Sequence, residues 1–284
     1  MHRRPSALAQ FEPRATGQMA AGTAEAAERA GRRLRVLDVE IAPTDVERTC
    51  STMEGWIAAG RREYVCVTGA HGVVECRRDE RVRCAHALAG LVVPDGMPIV
   101  FMARKLGYPE TGRVYGPDLM RRMTAISAAK GYRQFYYGGP PGLADRLASE
   151  LRARYPQLQV AGTMSPPFGI RSDDEDAREV DAIDAARPDI VWVGLSTPKQ
   201  ELWMAEHRAR LRAPVLVGIG AAFDFLAGTK RQAPLWVQHS GFEWLYRLAS
   251  EPRRLWRRYA RVVPTFAALA LWQLAVARTA RDNP

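Results

Sequence analysis

The chain has 284 residues, 47% of them apolar and 25% charged, and its 41 Lys and Arg outnumber 31 Asp and Glu for a formal charge of +10. That length and apolar content suit an ordinary globular protein with one large core and a small appendage. The basic excess lies before residue 35 and after Arg247 and suits an anionic partner; with no RNP signature, zinc finger or helix-turn-helix pattern, no nucleic acid is expected, which leaves an anionic membrane surface.

Residues 1–31 are rich in Ala, Arg, Glu and Gly without a sustained apolar pattern and read as a disordered N-terminal tail. The basic start at Met1-His2-Arg3-Arg4-Pro5 is not followed by an apolar h-region, so no secretory signal is expected. From Leu34 onward, short apolar runs alternate with longer helical patterns. The runs Leu34–Leu37, Tyr64–Val67, Leu91–Val93, Gln134–Tyr137, Leu158–Ala161, Ile190–Val193 and Val215–Ile219 read as strands. Between them Thr44–Ala59, Val74–Leu88, Pro117–Lys130, Leu143–Tyr155, Ser172–Ala186 and Lys199–Leu211 read as helices, the first opened by a capping box of Thr44 and Glu47. Continuous apolar strands separated by helices predict an α/β fold, a Rossmann-like, mostly parallel sheet with helices on both faces. That domain is expected over residues 32–238, with a basic and aromatic helical appendage over 239–284.

In such a sheet the ligand binds beyond the carboxyl ends of the strands, so the loops there hold the candidate residues. After Val67 comes Thr68-Gly69-Ala70-His71-Gly72, a turn that can offer backbone N–H groups to an anion, with His71 as a further donor or an incidental loop residue. Asp95, between Pro94 and Gly96, either faces the crevice or caps the helix from Gly96 to Lys105; spacing leaves both open. Gly116-Pro117-Asp118 and Gly138-Gly139-Pro140-Pro141-Gly142 each open a helix and suit a phosphate or a structural cap equally. The latter is not G-x-G-x-x-G and lacks a Walker lysine, which disfavours a nicotinamide-dependent oxidoreductase. Ser196–Glu201 and Gly218–Gly228 lie at the next two strand ends, where substrate would bind. The D-x-D of Asp174 and Asp176 starts a helix, where carboxylates favour the macrodipole, and is not read as a metal site.

The four cysteines share no C-x-x-C spacing and read as reduced thiols of a cytosolic protein. None of the five histidines forms H-x-x-x-H or H-E-x-x-H, so no zinc is expected. Gly241–Arg258 interleaves Trp244 and Trp256 with Arg247, Arg254 and Arg257 at helical spacing, then enters the apolar stretch Val262–Ala277. This suits lipid phosphate, or else a core-packed helix with a solvated face. The apolar stretch counts about 16 residues, against roughly 20 for a span, and is interrupted by Pro264 and Gln273, so an interfacial helix is expected.

Taken together, several motifs carry a resemblance: V-P-D-G at Val93–Gly96, R-V-Y-G-P-D-L-M at Arg113–Met120, and G-G-x-x-G at Gly138–Gly142. They continue with P-K-Q-E at Pro198–Glu201, F-D-F-x-A-G at Phe223–Gly228, Gln232-Ala233-Pro234 and the Glu243–Arg258 run. In order and spacing these resemble the WecG/TagA/CpsF family of bacterial glycosyltransferases, from about Leu34 to Phe266. The resemblance implies inverting transfer from a UDP-sugar to a polyprenyl-diphosphate-linked saccharide at the cytoplasmic membrane face, with no metal or other cofactor. It implies Asp95 as the catalytic base, Thr68 and Gln200 as substrate contacts, and Arg247, Arg254 and Arg257 as arginines brought to lipid diphosphate. Gly116, Asp118, Gly138, Gly139, Lys199, Glu201 and Asp224 lie in the matching motifs and complete the expected substrate site. The family's T-x-N-x-E is here Thr68-Gly69-Ala70-His71-Gly72, a version similar to an exopolysaccharide branch in which His71 stands in for the changed contacts. A non-catalytic, membrane-docked nucleotide-sugar sensor or scaffold is the alternative, and the oligomeric state, a homo-oligomer included, stays open.

Overall fold

A computed structural model describes residues 34–282 except residues 168, 170 and 171. The tail expected over residues 1–31 lies outside the described residues.

The first apolar run departs from expectation. Strands β1 (Leu34–Val36) and β2 (Val39–Ile41) form a two-stranded antiparallel hairpin separate from the main sheet. Leu37, at a φ of 53°, reverses the chain after three residues, and one face of the hairpin, Leu34, Val36, Val39 and Ile41, is buried.

The main sheet has six strands, β3 (Glu63–Thr68), β4 (Leu91–Pro94), β5 (Arg133–Gly138), β6 (Gln159–Met164), β7 (Ile190–Gly194) and β8 (Val215–Gly218). Their order is β4-β3-β8-β7-β5-β6 and every neighbouring pair is parallel. Around it lie α1 (Val46–Ala59), α2 (Ala70–Arg78), α3 (Glu80–Ala87), α4 (Met97–Lys105), α5 (Gly116–Lys130) and α6 (Leu143–Arg154). They continue with α7 (Asp173–Ala185), α8 (Lys199–His207), α9 (Ala222–Leu226), α10 (Leu235–Ser240), α11 (Glu243–Ser250) and α12 (Pro252–Asp282).

Because side chains alternate along a strand, each central strand feeds two cores. Tyr64, Cys66, Phe135, Tyr137, Val191 and Val193 join α2, α3, α8 and α12 on one face. Val65, Val67, Tyr136, Ile190, Trp192 and Val217 join α1, α5 and α6 on the other. The apolar runs of β3, β5, β7 and β8 thus become strands covered on both faces, as the Rossmann-like expectation requires.

Two helix starts differ from the sequence expectation. Asp45, not Thr44, caps α1: its carboxylate accepts the Arg48 amide at 2.8 Å, while Thr44 is buried beside Thr49. The described capping box is at α7, between Ser172 and Glu175. The single helix expected over Val74–Leu88 divides at Asp79, which accepts the Arg81 amide and starts α3.

The C-terminal helix is longer than its apolar stretch suggested. By length and composition, Pro252–Thr279 is long and apolar enough to cross a membrane, and Pro264 lies inside the helix without ending it. Leu255, Val262, Phe266 and Ala270 nevertheless bury one side of it against the body. Gln273 clasps the hairpin, accepting from the Leu37 amide at 2.9 Å and donating to the Arg35 carbonyl at 2.8 Å.

Candidate active site

Two cavities open at the carboxyl ends of the strands. The first, about 400 Å³, lies beyond β3, β4 and β8 and is closed by α11 and α12; Gly69, His71, Asp95, Arg113, Gln200, Glu243 and Arg247 line it. The second, about 710 Å³, lies beyond β5, β7 and β8, with Gly139, Gly194, Lys199, Asp224 and Lys230 in its wall. Ser196, Gly220, Ala221 and Arg254 line both, so the cavities adjoin.

Asp95 follows directly on β4. Its amide donates to the Thr68 carbonyl at 2.9 Å, which ties the β4 end to β3. Gly69 permits that approach, since a Cβ there would stand 2.9 Å from the Asp95 carbonyl oxygen. Of the two readings of Asp95, the crevice is where its side chain goes: α4 has no side-chain cap. Among the described residues Oδ1, itself shielded from the cavity, has no hydrogen-bond partner, and Arg113 Nη2 stands 3.8 Å from it. The side chain keeps 32% of its surface and borders the cavity. Burial pushes its pKa from 3.8 to about 6; Arg113 and Arg247 oppose the rise, while Glu243 and Asp118 add to it.

Arg113 and Glu243 were not among the residues expected at the site. Arg113 lies over the Tyr115 ring at 4.1 Å, donates to the Gln238 carbonyl at 3.3 Å, and pairs with Glu243 at 2.5 Å. Both stand in the quoted motifs, but they are 130 residues apart in sequence and no local pattern joins them.

The appendage arginines are placed differently from one another. Arg247 lines the first cavity, 5.4 Å from the Phe225 ring centre. Arg254 borders both cavities and is held by two hydrogen bonds to Glu251, at 2.6 and 2.8 Å. Arg257 lines neither; it is exposed, 5.5 Å from the Trp256 ring centre. The chain breaks at Glu251, where φ is −135° and ψ 59°, and Arg254, Arg257 and Arg258 all follow on α12. After the break Arg258, four residues past Arg254, takes the cavity-facing position. Burial lowers its pKa.

The other expected residues divide between the cavities and their surroundings. His71 lines the first, 3.5 Å from Glu75, and burial lowers its pKa to about 4, with Arg258, Arg261 and Arg78 adding to the effect. It is neutral at physiological pH. Thr68 lines neither cavity; it is buried, its hydroxyl 3.1 Å from His86 Nε2. Gln200 lines the first, with Oε1 accepting the Gly220 amide at 2.9 Å. Glu201 is buried outside both linings, accepting from Thr197 at 2.9 Å and Gln200 at 3.0 Å, and burial raises its pKa. Gly116 lines the first cavity, whereas Asp118 is exposed and pairs with Arg121 at 2.8 Å. Gly138, at a φ of 121°, lies outside both linings and packs on Gly194, where a Cβ would come within 2.8 Å of backbone. Gly139, Lys199 and Asp224 line the second, Asp224 at 3.5 Å from Lys230. Asp176 of the D-x-D pairs with His207 at 2.8 Å and with Arg210.

Comparison with known proteins places this geometry. The sequence model of the glycosyl transferase WecG/TagA/CpsF family matches residues 34–280. A relative in Bacillus spizizenii (strain ATCC 23059 / NRRL B-14472 / W23), named N-acetylglucosaminyldiphosphoundecaprenol N-acetyl-beta-D-mannosaminyltransferase, is 30% identical over 65% of this chain and 69% of its own length. Relatives of the same name in Bacillus subtilis (strain 168) and Staphylococcus aureus (strain MRSA252) are each 28% identical. They cover 64% and 63% of this chain, and 69% and 67% of their own lengths.

Proposed function

The chain belongs to the WecG/TagA/CpsF family of glycosyl transferases, and from that premise we propose that it moves a sugar from a UDP-sugar onto a polyprenyl-diphosphate-linked saccharide, with inversion, in exopolysaccharide assembly. The acceptor hydroxyl oxygen attacks the anomeric carbon and its proton passes to Asp95. The new carbon–oxygen bond forms as the bond to the UDP oxygen breaks, and UDP leaves with that electron pair.

The observation that carries this is the partly exposed Asp95 carboxylate bordering a cavity that Arg247, Arg254 and Arg258 of the appendage also line. The second cavity, with Lys199 and Lys230 at the ends of parallel strands, suits the donor nucleotide, and the first suits the acceptor. Arg254, bordering both, is placed to meet diphosphate charge between them. These cations carry the leaving-group charge in place of a metal. The relatives' names, which describe transfer to a diphosphoundecaprenol-linked sugar, support the acceptor class. Exposed Trp256, Leu271 and Trp272 on α12 suit a peripheral position on the cytoplasmic membrane face. Asp95→Asn is expected to keep UDP binding, measured by calorimetry, and to lose transfer by about 10²- to 10⁴-fold. Undiminished turnover would remove Asp95 as the base.

A further inference from the structure

Arg113 stands between two carboxylates and serves them unequally. It contacts Glu243 of α11 directly at 2.5 Å and leaves Asp95 at 3.8 Å. The contact is sheltered, since the Arg113 and Glu243 side chains keep only 12% and 14% of their surface. The guanidinium is further fixed by the Tyr115 ring and the Gln238 carbonyl, so it has little freedom to pivot.

We propose that Glu243 is a positioning residue: by holding Arg113 in a direct ion pair it keeps the cation one step from Asp95 and leaves the Asp95 carboxylate, whose exposed surface borders the cavity, without a direct cation partner as it takes the acceptor's proton. The proposal rests on Asp95 acting as the base. It gives the appendage a second task beside its arginines, because Glu243 reaches Arg113 only when α11 is docked. The charged groups acting on Asp95 are Arg113 from the segment before α5, Asp118 from α5, and Glu243 and Arg247 from α11. His71 of α2, and Arg254 and Arg258 of α12, line the same cavity. Without the Glu243 charge, the Arg113 cation is no longer offset and, from where it stands, stabilises the ionised form of Asp95, which makes it a weaker base.

The test is a carboxyl ¹³C NMR titration of Asp95 in the full chain, with Asp95→Asn assigning the signal. Glu243→Gln is expected to lower the Asp95 midpoint by about one pH unit and Arg113→Gln to raise it, so the two variants move it in opposite directions. Glu243→Asp, which keeps the charge, is expected to stay near wild type and carries the comparison with Arg113→Gln should Glu243→Gln not fold. The acid limb of kcat/KM, measured with UDP-N-acetylmannosamine and a synthetic polyprenyl-diphosphate N-acetylglucosamine, is expected to follow the same order. An Asp95 midpoint unmoved in Glu243→Gln, or Arg113→Gln and Glu243→Asp that titrate alike, would overturn the positioning role even with Asp95 still required for transfer. Midpoints that move while Asp95→Asn still transfers would instead remove the base, and the catalytic role of Glu243 with it.

Discussion

The role proposed for Asp95 sets stability against chemistry. Its pKa is about 6 in the fold against an ordinary 3.8, so the fold favours the protonated carboxyl. That contribution is fully present below about pH 3.8 and is lost as pH rises through about 6. Asp95→Asn, a neutral mimic, is therefore expected to raise Tm by a few degrees over wild type at pH 7.5, with the gain shrinking toward pH 4. Calorimetry at both pH values checks this, and an equal gain at both would assign it to packing rather than charge. The P-D-G at a strand end made Asp95 visible in the sequence, because position after a strand is a local property. Arg113 and Glu243 were not visible as partners, since only the fold brings residues 130 positions apart together.

At the level of elements, period and composition located the six strands of the main sheet, five as largely buried apolar runs and β6 as a half-buried edge strand. The hairpin of β1 and β2 escaped that reading: each strand has three residues and buries one face, too short for a pattern. The break between α11 and α12 also escaped it. Along α12, Gln273 looked like an interruption of an apolar stretch, but it fastens the helix to the hairpin through two backbone hydrogen bonds. Gln273→Ala is expected to cost about 1–2 kcal/mol in urea unfolding. Trp256→Ala with Trp272→Ala, both on the exposed side, is expected to weaken sedimentation with phosphatidylglycerol vesicles several-fold while leaving unfolding unchanged. Unaltered vesicle binding in that pair would argue against α12 as the membrane contact.

Across the whole molecule, the parallel sheet presents its strand ends to two adjoining cavities, and α11 and α12 close the first of them. On the proposed function, the acceptor diphosphate, the base and the membrane contact all lie at this end, which would link docking on lipid to completion of the site. The departure at Ala70, His71 and Gly72 puts His71 in the wall of the first cavity, where burial lowers its pKa to about 4. The most direct measurement is UDP release from a panel of UDP-sugars, with and without a polyprenyl-diphosphate monosaccharide and in the presence of EDTA. At least one donor is expected to give UDP release that requires the acceptor, persists in EDTA and disappears in Asp95→Asn. UDP-sugar binding with no acceptor-dependent release from any donor would contradict transfer and favour a nucleotide-sugar sensor or scaffold.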